Sequence, residues 1–218
     1  MKKKALQAIA VSLILAFGFT NSSWGKATPS NESEALIEQL VDYENVQDWE
    51  RYTNLWCSPE RLIFETMFKD PEEFNNNEGI TCATAAELVE MKQLSPEEYE
   101  YQIYSDTSLY EDVEVYFVGI NYSVSKVSTY FYNGVNYRMI VTGLEHGERK
   151  IIEEPEPTCD FLLDMMNAHN GSTYDYEKAL DVRIARMYGI IIDSDGTIID
   201  VLAEDKDTVL RNYRNSMR

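Results

Sequence analysis

From Asn31 the apolar residues fall at helical spacing. Leu36, Leu40 and Tyr43 lie three and four apart with Ile37 and Val41 beside them, and Val46, Trp49, Tyr52 and Trp56 continue the stripe. Asn31-Glu32-Ser33-Glu34 has the form of a capping box, so the pattern predicts one helix from there to about Leu55. Ser58-Pro59-Glu60 restarts a helix: Ser at the cap, Pro in the first turn, an acid beside the positive helix end. Its apolar side is Phe64, Met67 and Phe68. Asp70-Pro71 and Asn75-Asn76-Asn77-Glu78-Gly79 read as loop.

Past Ile80 the period changes. The stretch Thr81 to Leu94 is β-capable around Leu88-Val89-Glu90-Met91, and Ser95-Pro96-Glu97-Glu98 caps a short helix. Val113 to Tyr132 is rich in Val, Tyr, Phe, Ile and Thr, which suit a half-buried strand. Asn133-Gly134 follows, the best pair for a type I′ turn, whose two central residues both need positive φ. That turn would pair Tyr132 with Val135, Tyr130 with Tyr137 and Thr129 with Arg138. On the return strand Val135, Tyr137, Met139 and Val141 share one face. His146-Gly147 turns the chain again, Arg149 to Glu154 forms the next strand, and Pro155 and Pro157 end it.

Helices first and an antiparallel meander after them predict an α+β fold, with the N-terminal helices packed on one face of the sheet. Beyond residue 157 the pattern predicts a short helix over Thr158–Asn167. A second runs from about Tyr174 to Tyr188, capped by Ser172-Thr173, with Leu180, Ile184 and Met187 on one side and Gly189 at its end. A hairpin with arms Ile190–Ile192 and Ile198-Ile199 follows.

The first residues change the picture of location. Lys2, Lys3 and Lys4 precede an apolar run from Ala5 to Phe19, and Ser23-Trp24-Gly25-Lys26-Ala27 follows: the layout of a secretory signal peptide over residues 1–27, cleaved after Gly25 or Ala27. The run is shorter than the ~20 residues that span a bilayer. Secretion to the extracellular side is therefore expected, with no membrane partner after cleavage. The chain carries a formal net charge of −19, and cleavage removes four lysines and no acids, which makes it more negative. Such a surface repels nucleic acid and anionic lipid. Cys57, Cys82 and Cys159 match no zinc spacing and form no Cys-x-x-Cys; one disulfide and three free thiols both stay open.

Residues 32–60 resemble the opening helix of NTF2-like (cystatin-like) domains in Asp48-Trp49-Glu50, Leu55-Trp56 and Ser58-Pro59. Gly143 to Glu153 (GLEHGERKIIE) resembles their Gly-x-Trp-Lys-Ile hairpin, with Arg149 where tryptophan is usual. The resemblance spans about residues 32–155 and is nearest to NTF2-like segments of Gram-positive secreted proteins, some joined to cell-wall or sporulation domains. It implies helices against a strongly curved sheet with a cone-shaped pocket. The expected organisation is a signal peptide over 1–27, an NTF2-like domain over 28–157 and a helix-plus-hairpin extension over 158–218. In that frame Trp49, Tyr52, Trp56, Phe117, Tyr137 and Met139 are the candidate ligand-pocket residues.

Several tempting activities compete with plainer readings. GIIIDSDGTIID, residues 189–200, resembles the nucleophile motif of haloacid-dehalogenase-type phosphatases. That chemistry also needs a Ser or Thr, a Lys and further acids far downstream, and too few residues follow Asp200 to supply them in order; a hairpin turn is the expectation. Asp193, Asp195, Thr197 and Glu204 fit positions 1, 3, 5 and 12 of a calcium loop, but Ile198 stands where glycine is needed. His146 and His169 lie in loops without metal spacing, and no Gly-x-Ser-x-Gly elbow occurs. Nine of the 15 tyrosines lie between Tyr99 and Tyr137, where they suit strands and could also line a pocket. Asp42, Tyr43 and Asp48 are the carboxylates and phenol that a pocket enzyme would use.

The expectation is a secreted, non-catalytic binding or accessory domain. It would take a small ligand, a peptide or a cell-envelope component in a concave pocket between helices and sheet, with no catalytic residue, metal or cofactor; a homodimer is left open. The alternatives are a small isomerase- or hydrolase-like pocket enzyme and an accessory module of a cell-wall enzyme. A buried polar dyad with a strongly perturbed pKa would favour the enzyme. An exposed apolar patch on the C-terminal hairpin would favour the accessory module.

Overall fold

A computed structural model describes residues 31–76, 79–100, 102–168 and 173–216. The expected signal peptide, His169 and the Ser172 cap lie outside these residues. In chain order the elements are α1 (Glu32–Val46), α2 (Trp49–Asn54), α3 (Ser58–Lys69), α4 (Pro71–Asn76), β1 (Ala83–Leu94), α5 (Pro96–Tyr99), β2 (Glu111–Val124), β3 (Gly134–Glu145) and β4 (Glu148–Glu153). They continue with α6 (Cys159–Ala168), α7 (Thr173–Met187), β5 (Ile190–Ile192), β6 (Ile198–Val201) and α8 (Lys206–Ser216). The fold is α+β: an antiparallel sheet in the order β1-β2-β3-β4, with β5 and β6 as a separate two-stranded sheet.

Asn31 caps α1 as its sequence implies, its side chain accepting from the Glu34 N–H. The helix does not run on to Leu55. Gln47 takes a left-handed backbone (φ 54°), and Asp48 then caps α2, accepting from the Arg51 N–H at 3.2 Å. The apolar stripe continues across the break, so periodicity alone joins two helices that capping separates. At α3 the cap position is Cys57. The first N–H groups of that helix are served from a distance: the Glu145 carboxylate accepts from the Ser58 N–H (3.0 Å) and the Ser58 hydroxyl (2.9 Å). Pro71 opens the short α4 where loop was expected.

The type I′ turn lies one hairpin later than expected. Only Gly134 of the Asn133-Gly134 pair has positive φ, and β2 pairs with β3 as Tyr122 with Gly134, Gly119 with Tyr137 and Val118 with Arg138. Residues 125–133 form a loop closed by side chains. Asn133 Oδ1 accepts from the Val124 N–H (3.0 Å), Asn136 Nδ2 donates to the Tyr132 carbonyl (2.9 Å), and Arg138 Nη2 donates to the Tyr130 carbonyl (2.6 Å). His146 (φ 54°) and Gly147 (φ 82°) both hold positive φ between the paired Glu145 and Glu148, as the two-residue turn requires. Beyond β4, the Trp56 strand bridge covers the outer edge of the sheet: Cys57 N–H donates to Ile151 O (2.8 Å) and Ile151 N–H to Leu55 O (2.9 Å).

Both faces of the sheet are buried. On one face Tyr116, Val118, Ile120, Tyr122, Ile140 and Ile151 pack against Leu36, Ile37, Leu40 and Val41 of α1 and against Tyr52 and Trp56. On the other, Val115, Phe117, Tyr137, Met139, Val141 and Ile152 pack against Leu162 and Met165 of α6 and Tyr176 and Ala179 of α7. Helices on one face only was therefore too few, and the segment after residue 157 completes the core. The unbroken burial of 136–143 in β3 is the mark of a strand covered on both sides. The inward side of α7 is Tyr176, Ala179, Val182 and Ala185; Leu180 and Ile184 are half-buried and Met187 is exposed, which reverses the expected side. Val182 and Ala185 join Ile190, Ile192, Val201 and Tyr132 in a third cluster that seats the terminal hairpin and α8.

Candidate functional site

The six expected pocket residues divide between the two faces of the sheet. Trp49, Tyr52 and Trp56 belong to the α1–α3 side; Phe117, Tyr137 and Met139 belong to the α6–α7 side. Successive residues on a strand point to opposite faces, so the odd-numbered residues of β2 and β3 cannot meet α2 across the sheet. These six do not line one pocket. Phe117 and Tyr137 instead stack at 5.0 Å, Tyr137 stacks on Tyr176 at 4.7 Å, and the Tyr176 hydroxyl donates to Glu90 at 2.5 Å. A Cβ on Gly119 would come within 2.9 Å of the Tyr137 ring, so glycine there makes room for the stack.

Beneath α1 and α2, where a concave pocket would open, the space is filled with side chains. Tyr52, Trp56, Tyr122 and Phe131 occupy it, and a polar group is sealed among them. Glu44 of α1, 1% exposed, accepts from the Tyr122 hydroxyl through Oε2 at 2.7 Å, while Oε1 has no hydrogen-bond partner. Burial holds the Glu44 carboxyl well above the usual range and the Glu154 charge adds to this; the Tyr122 hydrogen bond and Arg138 oppose it. Burial likewise raises the Tyr52 and Tyr122 phenols. Burial thus favours the protonated form of Glu44 beside the Tyr122 phenol. Asp42 is exposed, Tyr43 is half-buried and Asp48 serves as the α2 cap, so none of the three joins this dyad.

Among the described residues, two surface clefts carry polar side chains, and one of them aromatic rings as well. One, of about 420 Å³, lies between α2 and α3 and is lined by Trp49, Glu50, Thr53, Asn54, Glu65, Phe68 and Lys69. Trp49 and Phe68 stack at 5.1 Å with ring planes 24° apart. Trp49 also meets Tyr52 edge-on at 5.8 Å, which fixes the indole from behind. Glu65 pairs with Lys69 at 3.3 Å on the rim. Of the six expected pocket residues, Trp49 alone lines this cleft.

The other cleft, of about 580 Å³, lies between the start of α6 and the last turns of α7. Behind it runs an ion-pair network. Arg138 meets Glu154 at 3.5 Å and Glu156 at 3.2 Å, and Arg183 and Arg186 each close on the Glu156 carboxylate as well. These arginines hold Glu156 below the ordinary carboxylate range in spite of its burial. Sequence reasoning passed over this network, although Glu153-Glu154-Pro155-Glu156 and the arginines three apart at 183 and 186 were its trace.

The aspartate cluster is a hairpin turn, as expected, but not a free one. Asp193 Oδ1 and Oδ2 accept from the backbone N–H and the side-chain amide of Asn133, both at 3.0 Å, which ties the small sheet to the loop of the large one. Among the described residues, no three His, Cys, Asp or Glu side chains stand together as a metal site, and no helix is long and apolar enough to cross a membrane. Cys57 and Cys82 are buried free thiols; Cys159 is free and half-buried.

No family model matches the chain, and no curated protein or solved structure is similar to it.

Proposed function

We propose that the chain is a secreted, non-catalytic binding domain that holds a sugar ring of a cell-envelope glycan in the α2–α3 cleft. The observation that carries this reading is the stacked Trp49–Phe68 pair at the surface, ringed by two carboxylates, an amide, a hydroxyl and an ammonium group. Aromatic faces take the apolar face of a ring while the polar rim takes hydroxyls, and the cleft volume falls in the ~300–1,000 Å³ range of small-ligand sites. The acidic surface agrees with a neutral ligand rather than a polyanion. In this reading the fold is an NTF2-like domain whose cone is filled by aromatic side chains, and binding has moved to the outer side of the helices.

Titration of the secreted protein with soluble chitin and peptidoglycan oligosaccharides tests the proposal. Indole fluorescence reports on it, because Trp56 is buried and Trp49 is not. Saturable quenching that disappears in Trp49→Ala is expected. Native mass spectrometry showing no glycan bound at millimolar concentration would reject it.

A second reading, an accessory module docked to a cell-wall enzyme, draws support from Ile198, Ile199 and Leu202, exposed on and beside β6. A pocket enzyme would rest on the Glu44–Tyr122 dyad, but both side chains lie in the closed core.

A further inference from the structure

We infer that the α6–α7 cleft is a second binding site, for a small oxyanion (a carboxylate or phosphate group) held by Arg183 and Arg186. This does not rest on the glycan reading. Three guanidinium groups, Arg138, Arg183 and Arg186, share two carboxylates, Glu154 and Glu156, so the network carries one positive charge more than it neutralises. Of the three, Arg183 is the most exposed, at 32% of its side chain, against 11% for Arg186 and 6% for Arg138. Arg138 is spent on both carboxylates and the Tyr130 carbonyl, whereas Arg183 and Arg186 each donate only Nη1, to Glu156, with the Arg186 guanidinium also over the Tyr132 ring at 5.8 Å. Arg186 Nη2 is buried with no hydrogen-bond partner. Guanidinium groups with unspent donors are the usual fork for a planar or tetrahedral oxyanion.

The cleft wall fits the same ligand. Thr158, Cys159, Asp160 and Met187 line it with the two arginines. Asp160 makes no ion pair with either arginine among the described residues, yet it faces the same cleft and opposes an anion there. With Asp160 counted the three arginines are balanced by three carboxylates, so in a chain of net charge −19 this cleft is a locally neutral region in which two guanidinium groups line the wall. Met187, which is exposed, adds an apolar side, so the ligand is an oxyanion carried on a small organic body.

The two wall charges supply a paired test on the full chain. Thermal stability is measured in sodium phosphate and in sodium acetate against sodium chloride at matched ionic strength. Phosphate stabilises folded proteins generally, so the readout is the difference between variants. Arg183→Gln is expected to abolish the anion-specific part of the shift. Asp160→Asn is expected to tighten apparent binding about two- to fivefold, the size of one exposed charge interaction. Whichever salt acts tells a carboxylate site from a phosphate site. Should Arg183→Gln fail to fold, alkylation of Cys159 by iodoacetamide in the wild type serves instead: a bound oxyanion slows it, and equal ionic strength of chloride does not. Equal shifts in wild type and Arg183→Gln, no tightening in Asp160→Asn, or an unprotected Cys159 would overturn the inference.

Discussion

Replacing Asp193 by Asn removes one charge and exchanges one oxygen for an amide nitrogen, and the structure sets its cost. In the wild type both carboxylate oxygens accept from Asn133, at 3.0 Å each, and Oδ1 also accepts from the Ser194 N–H at 2.8 Å. In Asp193→Asn one oxygen still serves the backbone N–H, but the new amide nitrogen faces the Asn133 amide nitrogen, donor against donor. Flipping the Asn133 amide would repair that contact and break another, because Asn133 Oδ1 accepts from the Val124 N–H. A hydrogen bond to a charged group is worth about 1.5–3 kcal/mol; with the pair half-exposed and one bond kept, the cost should be about 1–2 kcal/mol. That lowers Tm by about 2–8 °C in a chain of this size. Asp193→Ala, which loses both bonds to Asn133 and the one from the Ser194 N–H, should cost about 2–3 kcal/mol. Urea unfolding of the two variants, with Asn133→Ala and the double mutant closing a cycle, measures the coupling. A change below about 0.3 kcal/mol in Asp193→Asn would refute the docking argument. Magnesium-dependent phosphatase turnover abolished by the same change would instead make Asp193 a nucleophile.

Gly119→Ala should destabilise by about 1–3 kcal/mol in urea unfolding, because the added Cβ meets the Tyr137 ring at 2.9 Å and Val135 at 3.1 Å; a neutral result would mean the aromatic stack can shift. Gly147→Ala meets no atom within 4 Å, so its expected cost, about 1 kcal/mol, comes from positive φ alone, and an unchanged Tm would remove the type I′ turn from the account. Glu44 gives a pH dependence. Its folded pKa is raised, so its contribution is fully present below the ordinary carboxyl value and is lost as pH rises toward the folded value, at up to about 1.4 kcal/mol per pH unit. Glu44→Gln should flatten that fall above the ordinary carboxyl range in stability-against-pH curves, and a slope equal to that of wild type would show that the Glu44 carboxyl is not raised in the native state.

Local chemistry was legible in the sequence wherever it was complete within a few residues. The Asn31 cap, the Ser95-Pro96-Glu97-Glu98 capping box and the Gly189 stop all stand where their residues put them. Misreadings arose where two local signals competed or a distant partner decided. Asn133-Gly134 and His146-Gly147 both suit a tight turn, and the Asn133 side chain, engaged with Val124 and Asp193, draws the first pair into a longer loop. The stripe from Leu36 to Trp56 hides a break that depends on the backbone of Gln47. The inward side of α7 carries small residues, Ala179 and Ala185, because the Tyr176 ring and Val182 fill the gap to the sheet; a search for large apolar residues selects Leu180, Ile184 and Met187 instead. For the site, Trp49 was within reach of a pattern of aromatics. The ion-pair network was not, because no local spacing links Arg138 to Glu156 and both to α7.

The pairing of Leu55–Cys57 with Ile151 limits how copies of this chain can join. A sheet with two bare edges can add neighbours on both sides and grow into a fibre. Here the flank of β4 is met at Ile151 by the chain's own segment, while among the described residues β1 and residues 134–140 of β3 each have a flank with no strand beside it. The β1 flank is partly spent within the chain: Asn45 Oδ1 accepts from the Ala86 N–H at 3.2 Å and Gln47 Nε2 donates to the Ala83 carbonyl at 2.8 Å, which leaves fewer backbone groups for a second copy. Glu87, Glu90 and Lys92 place charge along that edge, which raises the cost of even the first union. A concentrated solution at neutral pH should therefore resist edge-to-edge association along β1, and light scattering that kept rising with time would point to another edge, residues 134–140 of β3 or the terminal hairpin, as the growing one.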